Sequence, residues 1–349
     1  MDALISPRRR SVVTALGAAS LLAACGGTRT AGAAVEFTGP TMGSTYTLKL
    51  AGALDPGLAE RAHGAVREAL AGVEAGMSAY LADSELSRFN RHASAEPVGL
   101  SADMFAVLAL AQQVARESGG AFDATVAPVV DAWGFGPGRA HRVVEGPERQ
   151  RLAQRIGHER LRLDPATRSA TKAHPRLAVD LSGIAKGYGV DRAALALDAL
   201  GIARYMVEAG GEVRTRGTNA QGEAWRIGIE RPDAVPPRPH FVLPLQGRSL
   251  ATSGDYRIYF ERDGKRFSHE IDPASSAPVD HALASASVVA PTCAYADAMA
   301  TALMVMGPVR GPAFAAERGL AAYFIVREGA ALRAFASPAF QQLGGRPLA

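Results

Sequence analysis

Apolar and polar residues alternate along Thr45-Tyr46-Thr47-Leu48-Lys49-Leu50, the period of a half-buried strand. The period then lengthens. Ala62, Val66, Leu70 and Val73 recur at helical spacing behind Asp55-Pro56, which suits an N-cap and a first helical residue, and Gly76 falls near the end of the run. A second helical run extends from about Ser101 to Glu117 and stops at Gly119-Gly120. A third covers Ser182 to Leu200, with Gly201 where a left-handed C-terminal residue belongs. Short strands are predicted at Tyr205 to Glu208, Val213 to Arg216 and Trp225 to Glu230. Tyr256 to Phe260 and Lys265 to Ile271 flank Arg262-Asp263-Gly264, which predicts a hairpin with an Asp-Gly turn. Cys293 to Met306 is an alanine- and methionine-rich helix ending at Gly307, and Ala321 to Val326 is the last strand. Residues 134–146 and 232–240, rich in proline and glycine or in proline, read as surface loops. Helices and strands interleave, yet hairpins join several of the strands. The pattern therefore predicts an α+β fold, with mixed, largely antiparallel sheets flanked by helices, and not a doubly wound parallel sheet.

The first residues stand apart from that pattern. Arg8-Arg9-Arg10 precedes an apolar stretch, Ser11 to Ala24, that is too short to span a bilayer as a mature helix. It ends in Leu22-Ala23-Ala24-Cys25-Gly26, small residues followed at once by cysteine, the pattern of a bacterial lipoprotein signal. A plain secretory signal with an incidental Cys25 is the alternative, and the paired arginines also permit twin-arginine export. The chain divides into a signal at 1–24, a small, polar tether at 25–35 and one domain at 36–349. The mature protein is expected to be exported and held by lipid on Cys25 to the periplasmic side of the inner membrane. Cleavage removes Asp2 and three arginines, which takes the formal charge from +4 to +2. That small, dispersed charge gives a nucleic-acid role no support. Cys293 is the only other cysteine, so a lipidated Cys25 leaves no disulfide to hold the fold.

No G-x-G-x-x-G after a strand, Walker A sequence, G-x-S-x-G or H-E-x-x-H is present. The chemistry lies in less familiar clusters. Asp180-Leu181-Ser182-Gly183-Ile184-Ala185-Lys186-Gly187 reads as a loop entering a helix, where exposed N–H groups and a lysine suit a phosphate; ordinary capping is the competing reading. Tyr80 follows a helix end and could stack on a planar ring or cover the core edge, with Asp83 to Arg88 as a capped surface turn. Asp123, behind Ala121-Phe122, could accept hydrogen bonds from an adenine or ribose, or cap a helix. His269 ends a strand near Asp272, facing Thr252 to Tyr256 across the expected hairpin, and suits a general base or a phosphate contact. Asp297 and Thr301 share one helix face at i,i+4, an oxygen pair suited to Mg²⁺ or to local capping.

Taken in order, Met42-Gly43-Ser44-Thr45-Tyr46, Met77 to Asn90, Ala121 to Val126, Asp180 to Gly187, Ala209-Gly210-Gly211-Glu212, Thr252 to Tyr256, His269 to Pro273 and Ala296-Asp297-Ala298 with Thr301 resemble the ApbE family of flavin transferases. The resemblance covers about residues 36–335. It implies an ApbE-like fold and an FAD:protein FMN transferase. In that reaction a threonine or serine hydroxyl of a client protein attacks the FMN phosphorus of Mg²⁺-bound FAD, and AMP leaves. It further implies that Met42, Tyr80, Ala121, Phe122, Asp123, Asp180, Lys186 and Ile271 line the FAD site. Mg²⁺ would be held by the Gly183 carbonyl, the Asp297 carboxylate and the Thr301 hydroxyl, with His269 aiding transfer. The implied clients are flavoprotein subunits of membrane redox complexes, such as sodium-pumping NADH:quinone oxidoreductase or the related Rnf complex, or a respiratory regulator.

The chain departs from the family pattern after Asp272-Pro273, where Ala274-Ser275-Ser276 replaces the usual Arg-Thr-Gly and removes a cation and a glycine. Ser44 and Glu208-Ala209 are milder departures. Two other activities share the same residues. A Mg²⁺-dependent FAD pyrophosphatase would put water in place of the client hydroxyl. A lipoprotein that stores FAD would have no need of the Asp297 and Thr301 pair.

Overall fold

The alternation at 45–50 becomes a strand in which Tyr46, Leu48 and Leu50 are buried. In this computed structural model, which describes residues 34–348, that strand is the second of eight in the main sheet. The strands are β1 (Ala34–Thr41), β2 (Ser44–Ala51), β3 (Tyr205–Ala209), β4 (Glu212–Arg216), β5 (Ser249–Gly254), β6 (Leu283–Ala290), β7 (Ala321–Glu328) and β8 (Ala331–Ala336). They lie side by side in chain order, and each of the seven ladders between them is antiparallel. The expected α+β class holds. The expected signal, Cys25 and most of the tether lie outside the described residues; Ala34 and Val35, the tether's last residues, open β1.

Helices cover one face. Asp55 caps α1 (Pro56–Met77), its carboxylate accepting from the Leu58 N–H at 3.1 Å, and Ala62, Val66, Leu70 and Val73 are buried as their spacing requires. Ser101 caps α2 (Ala102–Glu117) in the same way. The third predicted helix begins later than its pattern suggests: α3 spans Ala185–Ala199, and residues 182–184 form a turn. α1 and α3 pack over β2 and β3 through Leu48, Leu50, Val66, Val190, Leu197 and Val207. The fourth helix, α4 (Cys293–Glu317), is buried on nearly every side from Cys293 to Met306 and fills the space between α2 and strands β5 to β7. The expected stop at Gly307 is a kink, with φ 77° and ψ −172°, after which a further helical run continues to Glu317. A side chain there would strike the His281 ring at 2.7 Å, and that ring donates from Nε2 to the freed Met304 carbonyl at 2.9 Å.

The other face is covered by a three-stranded sheet of Trp225–Glu230, Pro239–Leu245 and Arg346–Pro347 and by the short helix Pro338–Gln341. Several expectations need correction. Ala321 to Val326 is not the last strand, because β8 follows it. The Asp-Gly hairpin is shorter than expected, Tyr259–Arg262 with Lys265–Ser268. Thr252 to Tyr256 does not face His269 across that hairpin; β5 pairs instead with β6, placing Thr252 opposite Ser287. Ser84 caps a helix at Glu85–Arg91 where a turn was expected.

Candidate functional site

The ends of these elements surround a cavity of about 810 Å³. Its lining includes the β1–β2 turn at Met42 and Gly43, the 121–126 segment, the approach to α3, the β3–β4 turn, the end of β5, residues 269–271 and the inner face of α4. A cofactor-sized ligand fits such a volume.

The approach to α3 is fixed from several sides. Asn90 clamps Val179 with two hydrogen bonds of 2.7 and 2.8 Å, and the Asp180 N–H donates to the Ala124 carbonyl at 2.7 Å. Leu181 and Ile184 are buried in the core, which turns Asp180, Ser182 and Gly183 toward the cavity. Of the N–H groups at 182–187, where an anion site was expected, only those of Gly183 and Lys186 have no protein acceptor. The Ser182 N–H donates to Asp180 Oδ1, those of Ile184 and Ala185 to the Leu181 carbonyl, and that of Gly187 to Asp297 Oδ2 at 2.9 Å.

That last bond has a consequence for Gly183. The Gly187 N–H would ordinarily close the first turn onto the Gly183 carbonyl. Asp297 takes it, and no protein donor reaches the Gly183 oxygen. The two glycines let α3 approach α4. A Cβ at Gly183 would lie 2.9 Å from Thr301 Oγ1; one at Gly187 would lie 2.5 Å from the Cys293 carbonyl oxygen and 2.8 Å from Asp297 Cβ. Thr301 Oγ1 lies 2.9 Å from Ser253 Oγ. A carbonyl, a carboxylate oxygen without a protein donor and a hydroxyl therefore meet at one contact between helices. Among the described residues no group of three or more His, Cys, Asp or Glu could hold a metal ion, so a metal here would depend on such mixed oxygen donors. The donor set fits Mg²⁺.

Lys186 Nζ sits 2.6 Å from Glu212 Oε1 beneath the β3–β4 turn, with Gly210 at φ 63° above it. Burial works against the Lys186 ammonium, but the charges of Glu212 and Asp297 outweigh it and hold it above its usual range. Burial pushes Glu212 and Glu270 each up to about 8 and raises Asp297 as well. One lysine thus faces three carboxyl groups, a balance that favours an added cation.

Across the cavity, burial lowers His269 to about 4, so its ring is neutral at pH 7. Nδ1 lies 3.2 Å from the Ile258 carbonyl, which can only accept. The ring proton is therefore on Nδ1, and Nε2 carries the lone pair. The nearest acid to Nε2 is Glu270, with Oε1 at 3.8 Å.

Of the other expected residues, Met42, Ala121, Phe122, Asp123, Asp180 and Ile271 also line the cavity. Met42 occupies a turn position at φ 44°, and its side chain lies over Gly189 of α3. Asp123 is largely committed to its own segment: Oδ1 accepts from the Thr125 N–H and hydroxyl, both at 2.7 Å, and Oδ2 from the His158 N–H at 2.9 Å. Tyr80 is 75% exposed and is not part of the lining. No motif assigned a role to Glu208, Ser253 or Glu270, which line the cavity, or to Glu212, which holds Lys186. Their signal was position alone, inside or beside the motifs already singled out.

Comparison with known proteins converges on one family. Residues 42–324 match the ApbE family. The FAD:protein FMN transferase of Haemophilus influenzae is 43% identical over 320 residues, covering 88% of this chain and 91% of its own. That of Vibrio cholerae is 40% identical over 335 residues, covering 95% and 98%. The solved flavin transferase ApbE from Vibrio cholerae matches with a TM-score of 0.81 at 39% identity, over 89% of this chain and 99% of that one. The ApbE protein of Thermotoga maritima matches equally well, at 0.81, with 25% identity over 89% and 99%. With seven of the eight ordered motifs lining one cavity and a likeness that runs through nearly the whole described chain, this protein belongs to the ApbE family.

Proposed function

We propose that this chain transfers FMN from FAD to a threonine or serine hydroxyl of a client flavoprotein and releases AMP. The observation that carries the reading is that one cavity is lined by His269, Lys186, Gly183, Asp297 and Thr301, with Asp297 taking the Gly187 N–H and leaving the Gly183 carbonyl open. Gly183, Asp297 and Thr301 would hold Mg²⁺, which offsets charge on the pyrophosphate. Lys186, fixed by Glu212, adds a second positive charge to the transferred phosphoryl group. Met42, Ala121, Phe122, Asp180 and Ile271 form the walls against which FAD lies. Asp123 holds the 121–126 wall in place and has acceptor capacity left on Oδ2. Tyr80 supplies a ring face from the rim. His269 Nε2 takes the client hydroxyl proton as the new O–P bond forms and the bond to AMP breaks.

The clients are flavoprotein subunits of membrane redox complexes of the NADH:quinone oxidoreductase or Rnf type, or a respiratory regulator. The chain meets them from a lipid anchor on Cys25, on the periplasmic side of the inner membrane. No helix among the described residues is long and apolar enough to cross a membrane. Fractionation of cells expressing Cys25→Ser tests the anchor: the variant leaves the membrane fraction, and retention there refutes lipid attachment.

The transfer itself is tested by mass spectrometry of a client fragment incubated with FAD, Mg²⁺ and the protein. An FMN-sized increment on the fragment is expected, and His269→Ala lowers its rate by about 100-fold or more. Release of FMN and AMP with no adduct identifies the pyrophosphatase instead.

A further inference from the structure

Neither α3, which follows Gly183, nor α4, which carries Asp297 and Thr301, caps its own start. Ile184 precedes α3 and Thr292 precedes α4, and neither offers a side-chain cap. Each helix is capped by the other. Asp297, one turn into α4, accepts from the Gly187 N–H of α3 at 2.9 Å. Asp191, one turn beyond Gly187 on α3, accepts from two N–H groups of α4: Cys293 to Oδ1 and Ala294 to Oδ2, each at 2.9 Å. Both aspartates are buried, 8% and 3% exposed. The Arg214 guanidinium from β4 also pairs with Asp191, on Oδ1.

We infer that Asp191 is a positioning residue for the metal site, acting through α4 on Asp297 and Thr301. The inference rests on the metal assignment proposed above. The exchange is reciprocal, so the two bonds to Asp191 fix where α4 starts, and the start fixes where Asp297 falls one turn later. Asp297 in turn draws the Gly187 N–H away and leaves the Gly183 carbonyl open. Removing Asp191 strips two buried N–H groups of their acceptor and leaves the start of α4 free to shift. Asp297 and Thr301 move with it, away from Gly183. An asparagine keeps one acceptor oxygen for the Cys293 N–H and Arg214 but turns an amide donor toward the Ala294 N–H.

The test is a titration with Mn²⁺ alone, reading free Mn²⁺ by electron paramagnetic resonance with and without FAD. In Asp191→Asn the affinity for Mn²⁺ falls by about 10–100-fold, the range for loss of a group that orients a metal ligand. The Mg²⁺ concentration for half-maximal transfer rises by a similar factor, and kcat recovers at saturating Mg²⁺. Asp198→Asn is the control. Asp198 lies on the same helix, accepts from the Tyr205 hydroxyl at 2.9 Å and pairs with Arg216, but touches neither helix start. It keeps wild-type Mn²⁺ affinity. Wild-type affinity in Asp191→Asn, or equal losses in both variants, overturns the inference and leaves the transfer reading intact. Wild-type protein that takes up no Mn²⁺ with FAD present overturns the metal assignment itself, and the inference with it. Arg214→Gln retains the aspartate while removing the cation that holds it, and is the substitute if Asp191→Asn does not fold. A smaller loss in the same direction is expected from it, and none overturns the proposal.

Discussion

Gly183, Gly187, Asp297 and Thr301 sit where α3 touches α4, and each is in contact with another or with the backbone of the facing helix. Tyr80 lies at the other extreme. Its segment is held by a 2.7 Å bond from the Ser84 hydroxyl to the Ser78 carbonyl and a 3.2 Å bond from the Tyr80 N–H to Ser78 Oγ, while the ring itself is 75% exposed. The difference matches the chemistry proposed for each place. Oxygen donors for a small cation and a transferred phosphoryl group need fixed positions before the ligand arrives. A flat ring needs only a face to lie against, and that face can settle after the ligand does.

Gly187→Ala tests the contrast most severely. Its Cβ would overlap the Cys293 carbonyl oxygen at 2.5 Å, so the helices must part, at a cost of about 1–3 kcal/mol in stability. Displacing Asp297 by about 1 Å should then cost about 100-fold in transfer rate. Thermal unfolding and AMP release measure the two losses, and a variant normal in both would show that the floor is adaptable. Tyr80→Ala should do the reverse. Its stability stays within about 0.5 kcal/mol of wild type, while loss of stacking worth ~1 kcal/mol raises the KM for FAD by about fivefold. A drop in Tm comparable to that of Gly187→Ala would erase the distinction between floor and rim.

The smallest effect is one of pH. Burial raises Glu270 from its usual 4.5 to about 8. The folded protein therefore binds its proton more tightly than the unfolded chain does. The stability from that group is complete below 4.5 and is lost as pH rises through about 8. In chelator, Glu270→Gln should flatten the decline of Tm over that window. An unchanged decline would place its origin elsewhere in the molecule.

What could be read from the chain followed the same division. α1 and α2 were legible because one face of each is buried and each begins at a capping side chain. β6 was not. Both of its faces are covered and every position from Leu283 to Ala290 is buried, so its alanines, serines and valines show no alternation. α4 was legible as a helix but not past Gly307, where glycine and proline normally end one and here only bend it. At the site, motif order brought His269, Lys186, Asp297 and Thr301 to one cavity. It did not reveal that the Gly187 N–H at the start of α3 is already taken, because that depends on Asp297 reaching across from more than a hundred residues away. The two saturated bonds of Asp123 to Thr125 were equally invisible, since a residue type does not say which of its acceptors are already used.

The chain-order arrangement of the sheet has a consequence for how such a protein can diversify. Within the main sheet each inner strand pairs with the main-sheet strands that precede and follow it, so a connection that carries none of the core helices can lengthen or be exchanged while the ladders survive. The Tyr259–Ser268 hairpin, directly before His269, is carried on one such connection, between β5 and β6. The floor is anchored separately, on α3 and α4. A lineage can therefore rewrite the surface that leads into His269 without disturbing the contact between α3 and α4.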